Sequence, residues 1–440
     1  MNRREFLKGS TAAAAAALAA SCTGGNAGKK TASKKPEGEM TFRTDPSDSE
    51  KVSLLGYGCM RWPTLDGESG VENIGGGLDQ EQINYLVDKA IASGINYFDT
   101  SPVYCRGLSE KVTGIALSRH PRSSYKIATK MSNFSDSSLE ASKAMYRKSF
   151  EDLQVDYIDY YLLHSIGRKD RFEKRFVDNG MMDFLLQERR EGRIRHLGFS
   201  FHGSREGFDS LMEVHEKYHW DFVQIQMNYA EKDAEYLYEE LYKRGIPAIV
   251  MEPLLGGSLA KLPQHLATQF QQRDPFSSPA SWAMRYCGTF PGVLTVLSGM
   301  TYEEHLDDNL HTFSPLKPIS DEDRKFLKKA AALLERYALV PCTACNYCMP
   351  CPYGIDIPGL FGHYNKCVKE DIVNPNPEDP EYRRMRRKFL RTYTNAVAPE
   401  RQADKCIGCG KCSEACPQKI DIPRQIRKID VFVENLRRNG

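Results

Sequence analysis

Between about residue 50 and residue 315 the chain alternates eight times between a short β-branched or aromatic run and a longer segment of helical period. The runs are "VSLLGYG", "INYFDT", "YKIAT", "YIDYYLLH", "IRHLGFSF", "FVQIQMNY", "IPAIVMEPL" and "VLTVLSG". Amphipathic stretches such as "LDQEQINYLVDKAIASG" and "DAEYLYEELYKRG" separate them. In the second of these, Leu237, Tyr238 and Leu241 share one face and a glycine ends the helix. Apolar strands that alternate with helices imply a parallel sheet covered by helices. Eight such units predict an α/β chain whose sheet closes into a (β/α)8 barrel. An open doubly wound sheet would show a glycine fingerprint after its first strand. "GYGCMRW" lacks that spacing, and the "GGG" that begins at Gly75 follows no strand.

Barrels of this kind place their chemistry at the C-terminal ends of the strands. The second strand ends "FDTSPVY", which supplies Asp99 and, five residues on, Tyr104. The third ends at Lys130 in "IATK" and the fourth at His164 in "YYLLH". A phenol with a pKa near ~10 is a poor acid at neutral pH. A neighbouring ammonium favours the phenolate and eases proton donation. Asp99 would hold and balance Lys130, and His164 could orient a substrate carbonyl. A proton donor beside a carbonyl oxygen then needs a hydride source to complete a reduction.

Residues 50 to 315 resemble the aldo/keto reductase family, most specifically in "GINYFDTSPVY" and the later "SEKVTG". The resemblance implies a nicotinamide cofactor, NADP or NAD, and a tetrad that falls on Asp99, Tyr104, Lys130 and His164. It also implies cofactor contacts from Ser200 in "LGFSFHG", Gln224 in "VQIQMNY" and Met251 on strand seven, where many members carry an aromatic ring. "VLSGMTYEEHLDDN" resembles the family's adenosine-end motif, with Ser298, Gly299, Met300, His305, Asp308 and Asn309. The lysine and arginine that usually meet a 2′-phosphate are missing from it, so NADP preference is unsupported and NAD stays open. Cys59 and Cys105 near the mouth read as packing thiols, with nothing beside them to activate a thiolate.

Eight of the thirteen cysteines fall into two tight groups near the C-terminus, "CTACNYCMPCPYGIDIP" and "CIGCGKCSEACPQKIDIP". The second has the C-x2-C-x2-C-x3-C-P spacing of bacterial 4Fe–4S ferredoxins, and the first is one residue shorter before its last cysteine. Both end in Cys-Pro and then "IDIP", so the segment is an internal repeat whose copies each lead into a helix. Zinc sites use separated cysteine pairs or mix in histidine. Two four-cysteine groups instead imply two 4Fe–4S clusters held by Cys342, Cys345, Cys348, Cys351, Cys406, Cys409, Cys412 and Cys416. By analogy with two-cluster ferredoxins, the last cysteine of each run serves the other cluster. Cys342, Cys345 and Cys348 would then pair with Cys416, and Cys406, Cys409 and Cys412 with Cys351. Cys367 is a less favoured substitute ligand. The 54 residues between Cys351 and Cys406 include the basic helical stretch "DPEYRRMRRKFLRTY". This makes the domain resemble the α-helical ferredoxins of multi-subunit oxidoreductases. The basic run reads first as a solvated helix face, and second as a dock for an acidic electron carrier or anionic lipid.

The N-terminal "MNRREFLKGSTAAAAAALAASC" has signal-peptide anatomy and resembles a twin-arginine export signal. "LAASC" resembles a lipoprotein cleavage site, with Cys22 as the lipid-bearing residue; the alternative is an ordinary signal with a chance cysteine. Residues 23 to 40 are polar, small and basic and read as a flexible tether. The predicted organisation is a signal over 1–22, a linker over 23–49, the barrel over 50–318 and the ferredoxin-like domain over 319–440. A formal charge of +2 gives no bulk argument for nucleic-acid binding. No apolar run reaches the ~20 residues that span a bilayer, which leaves Cys22 as the membrane link.

The expected activity is NAD(P)H-dependent carbonyl reduction or alcohol oxidation at the periplasmic or lipid-anchored cell envelope. The two clusters would support it, with a flavoprotein or ferredoxin-like redox partner. The alternative is a non-catalytic electron-transfer subunit that uses the barrel as a docking scaffold.

Overall fold

The computed structural model describes residues 38–70, 76–342, 344–416 and 420–438. The export signal, Cys22 and the start of the linker lie outside the described residues. Among the described residues ten strands form: β1 Phe42–Thr44, β2 Lys51–Ser53, β3 Leu55–Gly58, β4 Tyr97–Asp99, β5 Lys126–Met131, β6 Ile158–Ile166, β7 Ile194–Phe201, β8 Phe222–Gln226, β9 Ala248–Met251 and β10 Val293–Ser298. Strands β3 to β10 form a closed barrel of parallel neighbours in chain order, sealed by the pairing of β10 with β3.

The period-2 alternation of the strands sorts their side chains into two cores. Tyr97, Ala128, Tyr160, Leu162, Phe222 and Ile249 fill the barrel interior. Their neighbours Phe98, Ile127, Tyr161, Leu163, Val223 and Val250 face outward and pack under the helices. Two residues beyond an inward position the chain faces inward again. That parity puts Asp99, Lys130, His164, Gln224 and Met251 in the top layer at the C-terminal mouth.

The first run, expected as a single strand, divides at Leu54. Its front half is β2, which pairs antiparallel with β1, and only the back half enters the barrel as β3. Val52 is fully buried in the interior cluster and closes the N-terminal end of the barrel. Asp45, just after β1, accepts a hydrogen bond from Tyr160 Oη at 2.7 Å.

Beyond residue 318 the chain stays packed on the barrel for one more helix. The helix Asp321–Arg336 starts from a capping box between Ser320 and Asp323. Its Leu327 and Ala330 are buried in the barrel's outer core, with Leu333 and Leu334 alongside. A separate core begins at Val340. Leu360, Phe361, Phe389, Tyr393, Ile429 and Phe432 meet there, carried by the helices Ile357–Lys369, Tyr382–Ala396 and Ile422–Arg438. The repeated "IDIP" is the helix entry: Asp356 Oδ1 accepts from Gly359 N at 3.1 Å, and Asp421 Oδ1 from Arg424 N at 3.2 Å. The proline then sits in the first turn, where no backbone donor is needed. Asp371 of this domain accepts from the backbone N–H of Gln264 at 2.6 Å and so ties it to the barrel.

Candidate active site

At the barrel mouth Lys130 is fully buried, and its Nζ donates to Asp99 Oδ1 at 2.5 Å and to the Thr100 carbonyl at 2.8 Å. The same ammonium lies 4.7 Å from the centre of the Tyr104 ring. Gln224 Nε2 donates to the other Asp99 oxygen at 2.9 Å, so this carboxylate has a partner on each side. Burial works against the charge on Lys130, but Asp99 and the Tyr104 oxygen outweigh it and hold its pKa above the usual lysine value. Tyr104 leaves β4 through a short turn in which Cys105 and Arg106 take left-handed φ of 48° and 53°. The chain then enters the helix Ser109–Leu117.

The ammonium does not win at Tyr104. Burial raises the phenol above its ordinary pKa, Lys130 pulls it back only in part, and Asp99 adds to the rise. The sequence expectation of a favoured phenolate is thereby corrected, because the desolvation that a buried site imposes exceeds the pull of one ion-paired lysine. Tyr104 is a protonated donor across the neutral range. His164 stands edge-on to it, with ring centres 5.9 Å apart. Burial, together with Lys130, His202 and Arg175, lowers the His164 pKa to about 2, so its imidazole is neutral. Ser132 Oγ lies 2.6 Å from His164 Nδ1 and Ser101 Oγ 3.3 Å from it. The sequence reading passed over both serines. The signal was the strand parity, since Ser132 follows Lys130 by two.

The expected cofactor contacts divide. Ser200 is buried at the mouth, and its Oγ accepts from Ser165 N at 2.8 Å. Gln224 has its amide nitrogen committed to Asp99, which leaves Oε1 as the end free to accept. Met251 is partly exposed at the end of β9 beside the interior cluster. Ser298 accepts from Asn309 Nδ2 at 2.9 Å, which links β10 to the helix Glu303–Phe313. Asp308 accepts from Ser278 Oγ at 2.6 Å, and burial raises its pKa. His305 is exposed, with its ring 5.1 Å from that of Tyr302. Gly299 lies against the Arg61 side chain, where a Cβ would meet Arg61 Cδ at 2.9 Å. The Met300 side chain is 1% exposed within the outer core, and its carbonyl accepts from Tyr57 Oη at 2.5 Å. Cys59 and Cys105 are buried packing thiols, and burial pushes Cys105 up to about 11.

In the C-terminal domain Cys342, Cys345, Cys348 and Cys416 line one pocket together with Ile357, Phe361 and Ile422. Three of these thiols come from the first run and one from the end of the second. Cys351 is not among the lining residues. Among the described residues, no three thiols have their sulfurs within 4.8 Å of one another. A single tetrahedral ion with metal–sulfur bonds of ~2.3 Å would draw four sulfurs closer than that. The open spacing around a cavity suits a cluster, and Ala344 N already donates to Cys342 Sγ at 3.4 Å. Cys367 is buried in the helical core, its Sγ 3.4 Å from His363 Nε2.

Comparison with known proteins agrees with both halves. The model of the aldo/keto reductase family matches residues 54–332, that of a 4Fe-4S dicluster domain residues 341–420, and that of the twin-arginine translocation signal sequence residues 1–20. An uncharacterized oxidoreductase of Bacillus subtilis is 23% identical over 307 residues, which cover 63% of this chain and 92% of that protein. An L-galactose dehydrogenase of Arabidopsis thaliana is 25% identical over 310 residues, covering 65% and 91%. Among solved structures, an aldo-keto reductase of Bacillus halodurans in its holo form superposes with a TM-score of 0.54 at 23% identity, covering 66% of this chain and 96% of that one. An aldo/keto reductase of Klebsiella pneumoniae in complex with NADP and acetate gives 0.53 at 22%, covering 67% and 95%.

Proposed function

The chain belongs to the aldo/keto reductase family, and from that premise we propose that it is an exported oxidoreductase that interconverts a small carbonyl compound and its alcohol with NAD(P). The observation that carries the reading is the buried Asp99–Lys130 pair beneath the ring of Tyr104, with the neutral His164 beside it. Ser200, Gln224 and Met251 occupy adjoining inward positions and would hold a nicotinamide, with Gln224 Oε1 and Ser200 Oγ facing its carboxamide. Ser298, Gly299, His305, Asp308 and Asn309 would line its adenosine end. When bound, the nicotinamide supplies the hydride.

The residues of the chain do the rest. Tyr104 keeps its proton until charge develops on the carbonyl oxygen, then donates it. Lys130, fixed by Asp99, stabilises the phenolate left behind. His164 holds the substrate oxygen by a hydrogen bond. Gln224 and Lys130 each donate to one oxygen of Asp99, which fixes the carboxylate beside the ammonium while Tyr104 changes state. Cys342, Cys345, Cys348 and Cys416 would hold one 4Fe–4S cluster and Cys406, Cys409, Cys412 and Cys351 the other, supplying single-electron transfer. A redox protein outside the cytoplasm is the proposed partner for these clusters.

The test is Tyr104→Phe in anaerobically purified, cluster-loaded chain, measured on a panel of aldehydes, ketones and alcohols. A fall in turnover of at least a hundredfold, with the iron content unchanged, supports the reading. Equal turnover in parent and variant refutes Tyr104 as the proton donor. If neither form turns over any substrate while both accept electrons at the clusters, the barrel is a scaffold for electron transfer.

A further inference from the structure

Within the candidate site, one hydrogen-bond chain runs through two serines to a ring nitrogen of His164. The backbone N–H of Val103 reaches Ser101 Oγ at 3.4 Å. Ser101 Oγ is 2.9 Å from Ser132 Oγ, and Ser132 Oγ is 2.6 Å from His164 Nδ1. Both serines are buried, Ser101 completely. A backbone N–H can only donate, so the Ser101 oxygen accepts from Val103, and the arrangement in which Ser101 gives its hydroxyl proton to Ser132 is the one that leaves the Ser132 proton for His164. The Ser132 oxygen accepts that proton and has its own to place. Its competing acceptor is the Lys130 carbonyl at 3.4 Å, much longer than the contact to His164.

We infer that Ser132, backed by Ser101, is a positioning residue that fixes the tautomer of His164: Ser132 Oγ–H donates to Nδ1, and the ring proton stays on Nε2, facing the barrel mouth. The inference rests on the reading of His164 as the group that holds the substrate oxygen. It adds the reason this imidazole can do so, since only a ring that carries its proton on Nε2 can donate to a carbonyl there. The rest of the surroundings hold the ring in place. Phe134 lies 5.1 Å from it and Tyr104 is edge-on. Arg175 clamps the backbone on either side by donating to the carbonyls of His164 at 2.9 Å and Ser165 at 3.3 Å. Neither contact can choose between the two nitrogens. Among the described contacts only the serine pair touches the ring nitrogens.

The inference is tested by nitrogen NMR of full-length, cluster-loaded protein labelled with ¹⁵N-histidine, with His164→Asn used to assign the signal. The parent should show a pyridine-type nitrogen at Nδ1 and a pyrrole-type nitrogen at Nε2. Ser132→Ala should turn this into a mixture of tautomers and lower kcat/KM about five- to tenfold, the effect of one lost hydrogen bond. Ser101→Ala should shift the mixture less. A parent signal with the proton on Nδ1 overturns the inference without any variant. An unmixed Nε2–H signal in Ser132→Ala overturns the role of Ser132. Because the readout is spectroscopic, it stands apart from the Tyr104→Phe test of the reaction itself.

Discussion

Glu110 stands one turn behind the Tyr104 loop with its carboxyl 2% exposed, and replacing it with glutamine should stabilise the barrel more as pH rises. Burial raises its pKa from 4.5 to about 7; hydrogen bonds from Thr129 and Ser149 and the charge of Lys130 pull it back, and Asp152 adds to the rise. Thr129 Oγ1 donates to Glu110 Oε1 at 2.5 Å. The sign follows from the two states. Below the unfolded pKa the carboxyl is neutral in both, and the folded state bears no charge penalty. As pH climbs, the unfolded chain ionises while the folded one stays protonated, so stability falls until the folded group also ionises near pH 7. A shift of about 2.5 units at 1.36 kcal/mol each amounts to about 3 kcal/mol lost between about pH 4 and pH 8. Glu110→Gln does not titrate, so it removes this pH-dependent part and leaves a constant offset from fitting an amide into the site. All three tryptophans, Trp62, Trp220 and Trp282, are buried in the barrel and none lies in the cysteine domain. Urea titration followed by tryptophan fluorescence on the cluster-loaded chain therefore reports the barrel transition alone. The stability difference between variant and parent should grow by about 3 kcal/mol from pH 4.5 to pH 8. A difference that stays constant with pH would refute the claim that Glu110 is held protonated.

Two further outcomes follow from the same geometry. Lys130→Met leaves Asp99 buried with only Gln224 as partner, and should cost the barrel about 3 kcal/mol in urea titration and lower carbonyl reduction on the order of a hundredfold; Asp99→Asn in the Lys130→Met background should recover much of the stability and none of the activity. Cys416→Ser and Cys342→Ser should each remove the same cluster, so their double variant keeps as much iron as either single one, while Cys416→Ser with Cys406→Ser loses both clusters. Iron and sulfide analysis with EPR distinguishes this from pairing within each run.

The parts legible in the sequence were those with a local signature. Eight apolar runs separated by amphipathic helices imply a closed parallel sheet, because each strand must be covered on both faces. Asp99, Tyr104, Lys130 and His164 could be read together because successive strand ends converge on one mouth. The two cysteine runs and their "IDIP" helix entries are likewise short-range patterns. The serines at His164 had no such signature, since a serine after "TKM" looks like any loop residue until the strand parity turns it inward. The same limit hid the division of "VSLLGYG" at Leu54, because both halves are equally apolar.

Tertiary structure alone decided how groups distant in the chain balance one another. Tyr104 and Lys130 are 26 positions apart in sequence, and the sequence reading expected the ammonium to dominate. In the fold both are withdrawn from water, and desolvation of the phenol outweighs an ammonium already committed to Asp99. Burial also makes His164 neutral. Residue identity and spacing pointed to the principal groups of each site. Their protonation depends on how much water each one keeps, and that is a property of the packed structure.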